Sequence, residues 1–282
     1  MREKGDDTAA AGDQGDIKPV PLRHPGRWLG AILAILVAVA ILRSIIFNPK
    51  FEWPIFVTYF LDSTVLWGVL ATIGLSFLAM AIGLVIGTIF AIMRISSSPV
   101  LAGLSWIYIN FFRAVPVLVQ LIFWYNLAAL YPIISIPFVA EFDTNTVITP
   151  LIAAMLGLGL NEGANLAEII RGGIISIDRG QSEAARALGM RPGKTLARIV
   201  LPQALKVIAP PIGNQIIMML KMTSLVSIIS MQDLLYATQT ISARTFYIIP
   251  MLIVAAIWYL ILTVIFSIIQ ISIEKYFSKG AK

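Results

Sequence analysis

Three stretches of this chain, Ser63 to Met93, Ala114 to Ala140 and Thr245 to Ile273, contain no Asp, Glu, Lys or Arg. Each is longer than the roughly 20 residues that carry a helix across the hydrocarbon core of a bilayer. A segment in lipid must pair its own backbone N–H and C=O groups, so such runs are expected to be helices. Three weaker candidates join them. Trp28 to Phe47 carries Arg43 close enough to its end to snorkel, Val147 to Ile170 carries Glu162 and Glu168, and Val207 to Ser230 is interrupted by Lys221. With 58% hydrophobic and 13% charged residues over 282 positions, the chain exposes more apolar surface than a soluble core absorbs. The sequence therefore predicts an all-α polytopic membrane protein with six transmembrane helices.

The basic residues orient it. With the N-terminus inside, 17 of the 21 Lys and Arg residues fall in cytoplasmic segments; Arg43, Lys50 and Arg244 lie on the outer side and Lys221 lies within a span. That asymmetry satisfies the positive-inside rule and places both termini in the cytoplasm. The net charge of +6 then reflects orientation and attraction to anionic membrane lipid, with no nucleic-acid partner expected. Residues 1–27, rich in Gly, Asp, Ala and Pro, read as a disordered cytoplasmic tail and not as a signal peptide. Residues 28–47 form the first helix, and 48–62 form an extracytoplasmic loop whose Phe51, Trp53, Phe56, Tyr59 and Phe60 suit an interfacial helix. Residues 277–282 are a short cytoplasmic tail. The chain has no Cys, and its one His is His24 in the tail, so no metal site and no bound cofactor is expected.

Polar residues inside the spans are the candidate path residues. Glu162, Asn165 and Glu168, joined by Asn161, lie on adjacent turns of one helix and share much of one face. A charge near the bilayer centre costs at least about 2.5 kcal/mol on insertion scales, so that face should meet a cavity or another helix. Two readings stand for Glu162 and Asn165: a substrate-lining pair, with Glu162 facing an ammonium, or a structural contact. Glu168 with Arg171 at i,i+3 reads as a structural ion pair. Lys221, with Thr223 and Ser224 beside it, is a candidate for a substrate carboxylate or for a structural pair with Glu162, the latter favoured because a buried charge needs a partner. Gln120 is either a path residue or interhelical glue. Gly83 and Gly87, four apart, point to close helix packing.

Between two very apolar segments lies Gly180 to Gln203, GQSEAARALGMRPGKTLARIVLPQ, which is polar, basic and helix-forming. Ser182 can cap a short helix with Glu183 in its first turn, Ala184, Ala185 and Ala187 favour it, and Gly189 supplies a left-handed stop. Pro192 can open a second helix with an apolar stripe at Leu196, Ile199 and Val200, and Pro202 marks entry to the next span. Gly193-Lys194-Thr195 ends like a phosphate-binding P-loop, but position 188 is Leu where that motif needs Gly, so the chain is not expected to bind ATP.

The spacing of Glu183-Ala184-Ala185, Gly189 and Leu201-Pro202 resembles the EAA loop of permease subunits of ATP-binding-cassette importers. From about Ser63 to Lys275 the chain resembles the polar amino acid uptake permeases, which serve histidine, glutamine, arginine, glutamate and opines. Phe112 to Gln120 is similar to their FRGTPLLVQ pattern. Ala167 to Gly173, and Asn214 with Lys221-Met222-Thr223-Ser224-Leu225, resemble two further segments. Ala114-Val115, Asn165 and Met222 depart from the usual residues. The resemblance implies a type I importer permease core of five helices over residues 63–276, to which the first helix is an addition, with the coupling loop at about 176–203. It implies a permease subunit in the bacterial inner membrane that moves a polar amino acid inward and is not itself an enzyme. ATP and Mg would sit on a cytoplasmic ATPase dimer docked at Glu183, Ala184, Ala185, Gly189, Leu201 and Pro202. A second permease subunit, identical or homologous, and an extracytoplasmic solute-binding protein are the other implied partners. The alternative is a secondary amino acid transporter driven by an ion gradient, with Glu162, Glu168 and Lys221 as coupling groups.

Overall fold

A computed structural model describes residues 25–136 and 140–278. The predicted tail at 1–27 lies outside them except for the first residues of helix α1, and so does most of the tail at 277–282. The chain divides into two units between Phe51 and Glu52. The first holds α1 (Pro25–Phe47) and a 3-10 turn at Pro49–Phe51. Nearly every side chain of α1 from Ala31 onward is exposed, as expected of an apolar helix whose solvent is lipid.

The second unit opens with α2 (Trp53–Phe60), a short aromatic helix in the stretch read as an outer loop. Phe60 stacks on Trp258, whose indole donates to the Phe60 carbonyl at 2.9 Å. Helix α3 (Ser63–Arg94) follows, capped by the Asp62 carboxylate, which accepts from Thr64 N. Then come α4 (Pro99–Ala114), α5 (Val117–Tyr125) and the single turn α6 (Leu127–Leu130). An antiparallel hairpin pairs β1 (Ile133–Ile136) with β2 (Ala140–Asp143), Ile134 opposite Phe142. The turn α7 (Thr144–Val147) leads into α8 (Pro150–Ile175). Helices α9 (Arg179–Ala187) and α10 (Pro192–Thr195) form the polar loop. A π turn at Leu196–Val200 passes without a break into α11 (Leu201–Met222), which tightens into a 3-10 segment at Thr223–Ile229. Helices α12 (Leu234–Thr245) and α13 (Ile248–Ser278) complete the unit.

Four helical segments among the described residues are long and apolar enough to cross a membrane, and the α4–α5 pair, bent by 99°, makes a fifth. Helix α8 is also long, at 26 residues. The expected single helix over Ala114 to Ala140 is not formed. Val115 precedes Pro116 and is extended (φ −83°, ψ 128°), because a proline ring clashes with a helical residue before it. Beyond Tyr125, Pro132 and the β-branched Ile133, Ile134 and Ile136 favour a strand. The link from Arg94 to Arg113, read as a plain cytoplasmic connection, is largely α4, which with α5 forms the bent pair.

Glycines set the closeness of α3 and α8. A Cβ on Gly87 would lie 2.8 Å from Leu166 Cβ and 2.9 Å from the Gly163 carbonyl. The core between them continues through Leu75, Ala79, Leu121, Leu158 and Met219. A second cluster joins Val65 and Val69 to Leu234, Met251 and Val254, and a third joins Ala91 and Ile109 to Ile170, Ala204 and Ile208.

Candidate functional site

The polar loop is built around α9. Its cap is the Asp178 carboxylate, which accepts from Gly180 N at 2.7 Å. Ser182, the expected cap, therefore lies inside the helix, which starts about one turn earlier than the sequence predicts. An Asx side chain reaches the amide two residues on more readily than a serine further along. At the other end Gly189 is left-handed (φ +75°), its N–H donating to the Arg186 carbonyl at 2.9 Å while Met190 N donates to the Ala185 carbonyl at 3.0 Å. This paired closure is a Schellman motif, and its left-handed residue favours glycine.

Ala185 is the one residue of α9 that is buried; Glu183 and Ala184 are exposed. A cavity of about 270 Å³ separates α9 from the ends of α3 and α8, lined by Ile95, Ile174, Arg179, Ser182, Arg186 and Leu196. Leu188 is 82% exposed at the end of α9. Its signal in the sequence is an apolar residue at the C-cap position, immediately before Gly189 in a polar segment. Leu201 and Pro202 are exposed at the start of α11.

The second region lies where α4, α5 and α8 meet. The bend at Val115-Pro116 frees backbone carbonyls, and side chains take them up. Gln120 Nε2 donates to Phe112 O at 3.0 Å and to Val115 O at 2.8 Å, and Asn161 Nδ2 donates to the same Phe112 O. Tyr108 OH donates to Leu160 O at 2.6 Å and stacks on Phe90. Asn165 Nδ2 donates to Asn161 Oδ1 at 3.3 Å. Glu162, beside Asn161, is 1% exposed, and its Oε1 has no hydrogen-bond partner; Gln120 Oε1 is in the same condition. Two unmatched buried acceptors in one region form a local demand for donors.

The remaining candidates divide. Glu168 and Arg171 form a forked ion pair, Arg171 Nη2 to Glu168 Oε2 at 2.7 Å and Nε to Oε1 at 3.1 Å. Lys221 is exposed and forms no ion pair with the buried Glu162, so the favoured Glu162–Lys221 pair is absent. Lys221 lies exposed near the end of α11, whereas Glu162 is enclosed where α3 packs on α8. Thr223 is buried and donates to Leu220 O at 2.9 Å, and Ser224 donates to Lys221 O at 2.7 Å. Both hydroxyls thus satisfy carbonyls where the α-helix tightens into a 3-10 segment.

At the end of the unit away from α9, Asp233 is fully buried and caps α12. Its Oδ1 accepts from Tyr236 N at 2.8 Å and its Oδ2 from Tyr259 OH at 3.1 Å, while Leu234 N donates to Thr72 Oγ1 at 3.1 Å. The network joins α3, α12 and α13. Its only signal in the sequence was an Asp before a helical run.

Residues 83–278 match the family model described as binding-protein-dependent transport system inner membrane component. The chain is 42% identical over 267 residues to the arginine transport system permease protein ArgU of Corynebacterium glutamicum, covering 94% of this chain and 84% of that one. A putative glutamine transport system permease protein of Rickettsia typhi is 38% identical over 74% of this chain and 90% of its own length. Among solved structures, a crystal structure of an amino acid ABC transporter with histidines superposes with a TM-score of 0.66 at 36% identity, covering 76% of this chain and 94% of that one. The MetNI methionine transporter, at 18% identity and a TM-score of 0.62, shares the fold.

Proposed function

The chain belongs to the family of inner membrane components of binding-protein-dependent transport systems, and from that membership we propose that it is the permease subunit of an ATP-driven importer of a polar amino acid. Relatives named for arginine and glutamine transport support the solute class. A separate ATPase dimer would bind and hydrolyse ATP, a solute-binding protein would deliver the amino acid, and a second permease subunit would complete the path.

One observation carries the docking part of this reading: α9 presents Leu188 and Glu183 outward while only Ala185 anchors it. A leucine held in water gains about 1.5–3 kcal/mol on full burial, so an apolar groove on a partner is the fitting occupant. The basic residues Arg179, Arg186, Arg191, Lys194 and Arg198 cluster on this loop, which favours a cytoplasmic location for it and for both termini. ATP-driven closure of the partner would shift α9 and bias the permease between two arrangements through differential contacts.

Glu162, Asn161 and Asn165 are the residues we assign to the solute path. Glu162 is enclosed by α3, so a passing ammonium would reach it when α3 and α8 part. The test is purification with the ATPase and binding protein encoded beside it, followed by ATP hydrolysis in lipid with each standard amino acid. Hydrolysis raised by one polar amino acid together with the binding protein supports the reading. A chain that purifies alone and moves solute on an ion gradient overturns it.

A further inference from the structure

A cleft of about 510 Å³ opens between α3 and α12 at the end of the unit away from α9. One stripe of α3 forms a wall, with Ser63, Thr64 and Trp67, and one stripe of α12 forms the other, with Tyr236, Thr240 and Arg244. The volume falls within the range of sites for small organic ligands, and the lining mixes aromatic faces with a few convergent polar groups.

Arg244 is the informative member. It is exposed, and among the described residues its side chain makes no ion pair or hydrogen bond. It stands outside the group of basic residues gathered on the α9 loop, where the other arginines after residue 170 lie on or next to that loop. Neighbouring carboxylates do not neutralise it. Asp62 accepts from Thr64 N through one oxygen and forms no ion pair with Arg244. Asp233 is buried with both oxygens engaged, and eleven residues of helix, about 16 Å at 1.5 Å per residue, separate it from Arg244. That exceeds the Debye length of about 8 Å at physiological salt. A guanidinium beside the Ser63 and Thr64 hydroxyls makes a donor-rich mouth suited to a planar oxyanion, while the Thr240 hydroxyl donates within its own helix to the Tyr236 carbonyl at 2.9 Å.

We infer that this cleft is a second solute site, in which Arg244 holds the carboxylate of an incoming amino acid before it reaches the α8 residues. The inference rests on the importer reading and adds an entry station to it. The same oxyanion chemistry is offered by a lipid headgroup, and the test separates the two sources.

The chain has no cysteine, so Thr64→Cys places one thiol in the cleft, and intact-mass spectrometry of this chain in the assembled transporter, in lipid nanodiscs, reads its modification. The anionic sulfonatoethyl methanethiosulfonate should react about tenfold faster than its trimethylammonium counterpart, a factor equal to about 1.4 kcal/mol of electrostatic preference. Arg244→Gln should abolish that preference, and Arg244→Lys should keep part of it. At least one standard amino acid should slow the anionic reagent severalfold in neutral-lipid discs. An absent preference, a preference unchanged by Arg244→Gln, or a thiol closed to both reagents overturns the proposal. Protection by phosphatidylglycerol discs and by no amino acid assigns the cleft to a headgroup and overturns it equally. None of these readings uses ATP hydrolysis, so failure of the importer reading remains separately visible.

Discussion

Gly83 of α3 faces Glu162 of α8 so closely that a Cβ on the glycine would lie 3.0 Å from both Cβ and Cγ of the glutamate. A leucine there has no room, and overpacking of this kind typically costs about 1–3 kcal/mol. Gly83→Leu should therefore lower the thermal midpoint of the detergent-solubilised chain by about 2–12 °C, at roughly 2–4 °C per kcal/mol. Gly74→Ala makes the control, since no atom lies within 4 Å of the added carbon, and it should not lower the midpoint, because alanine favours a helix interior over glycine.

Because Lys221 and Glu162 are not paired, their effects should add. In a cycle of Lys221→Ala, Glu162→Gln and the double variant, the coupling in stability should stay within about 0.5 kcal/mol, as for independent sites. A coupling well above that would restore the ion pair. Glu162→Gln keeps the side chain's shape, so its fold should persist while amino acid uptake falls about tenfold or more.

The α4–α5 bend depends on Gln120. Gln120→Ala would leave the Val115 carbonyl without that donor and the Phe112 carbonyl with Asn161 alone. Leaving buried acceptors unmatched costs about 1–3 kcal/mol. The loss should be visible as a lower thermal midpoint, and adding Asn161→Ala should cost more than the two single losses summed, because each amide is a reserve for the other at Phe112. Simple additivity would show that the two do not share that carbonyl.

On the coupling loop, Gly189→Val forces a β-branched residue to φ +75°, a conformation that costs roughly 1–2 kcal/mol for a residue with a Cβ. Leu188→Ser leaves the backbone alone and removes the exposed apolar group. Both variants should reach the membrane in normal amount and lose solute-stimulated ATP hydrolysis. Leu188→Ser should weaken ATPase co-purification about tenfold or more. Normal coupling in both would separate α9 from the ATPase.

What was legible in the sequence follows from what each signal depends on. The uncharged run from Ser63 gave α3 almost to the residue, because a long apolar run in lipid has one economical backbone solution. The run from Ala114 is equally uncharged, but Pro116 and Pro132 interrupt it, so absence of charge alone does not specify one helix there. Gly189 was readable as a stop because a left-handed end is local chemistry. The Asp178 cap was passed over for Ser182, since both types cap and only the backbone decides between them. Lys221 and Glu162 could be read as polar but not as partners, because a pair depends on how two helices are rotated. The cleft beside Arg244 was invisible, since its walls come from residues about 170 positions apart.

The helical column from Pro192 to Ile229 is continuous over 38 residues, with its first turns in the polar loop and its far end beside the α12 region. At about 1.5 Å per residue its length is roughly 55 Å, so under the importer reading it would act as a lever: a modest tilt imposed at the loop would become a displacement of several ångströms at the far end. The column is wound differently at each end, as a π turn at Leu196–Val200 beside the loop and a 3-10 segment at Thr223–Ile229. Under the importer reading, work done on α9 would be absorbed there as local rewinding, taken up at Pro210-Pro211 within α11, or passed along the column, and the stiffness of those few residues would set the gear ratio.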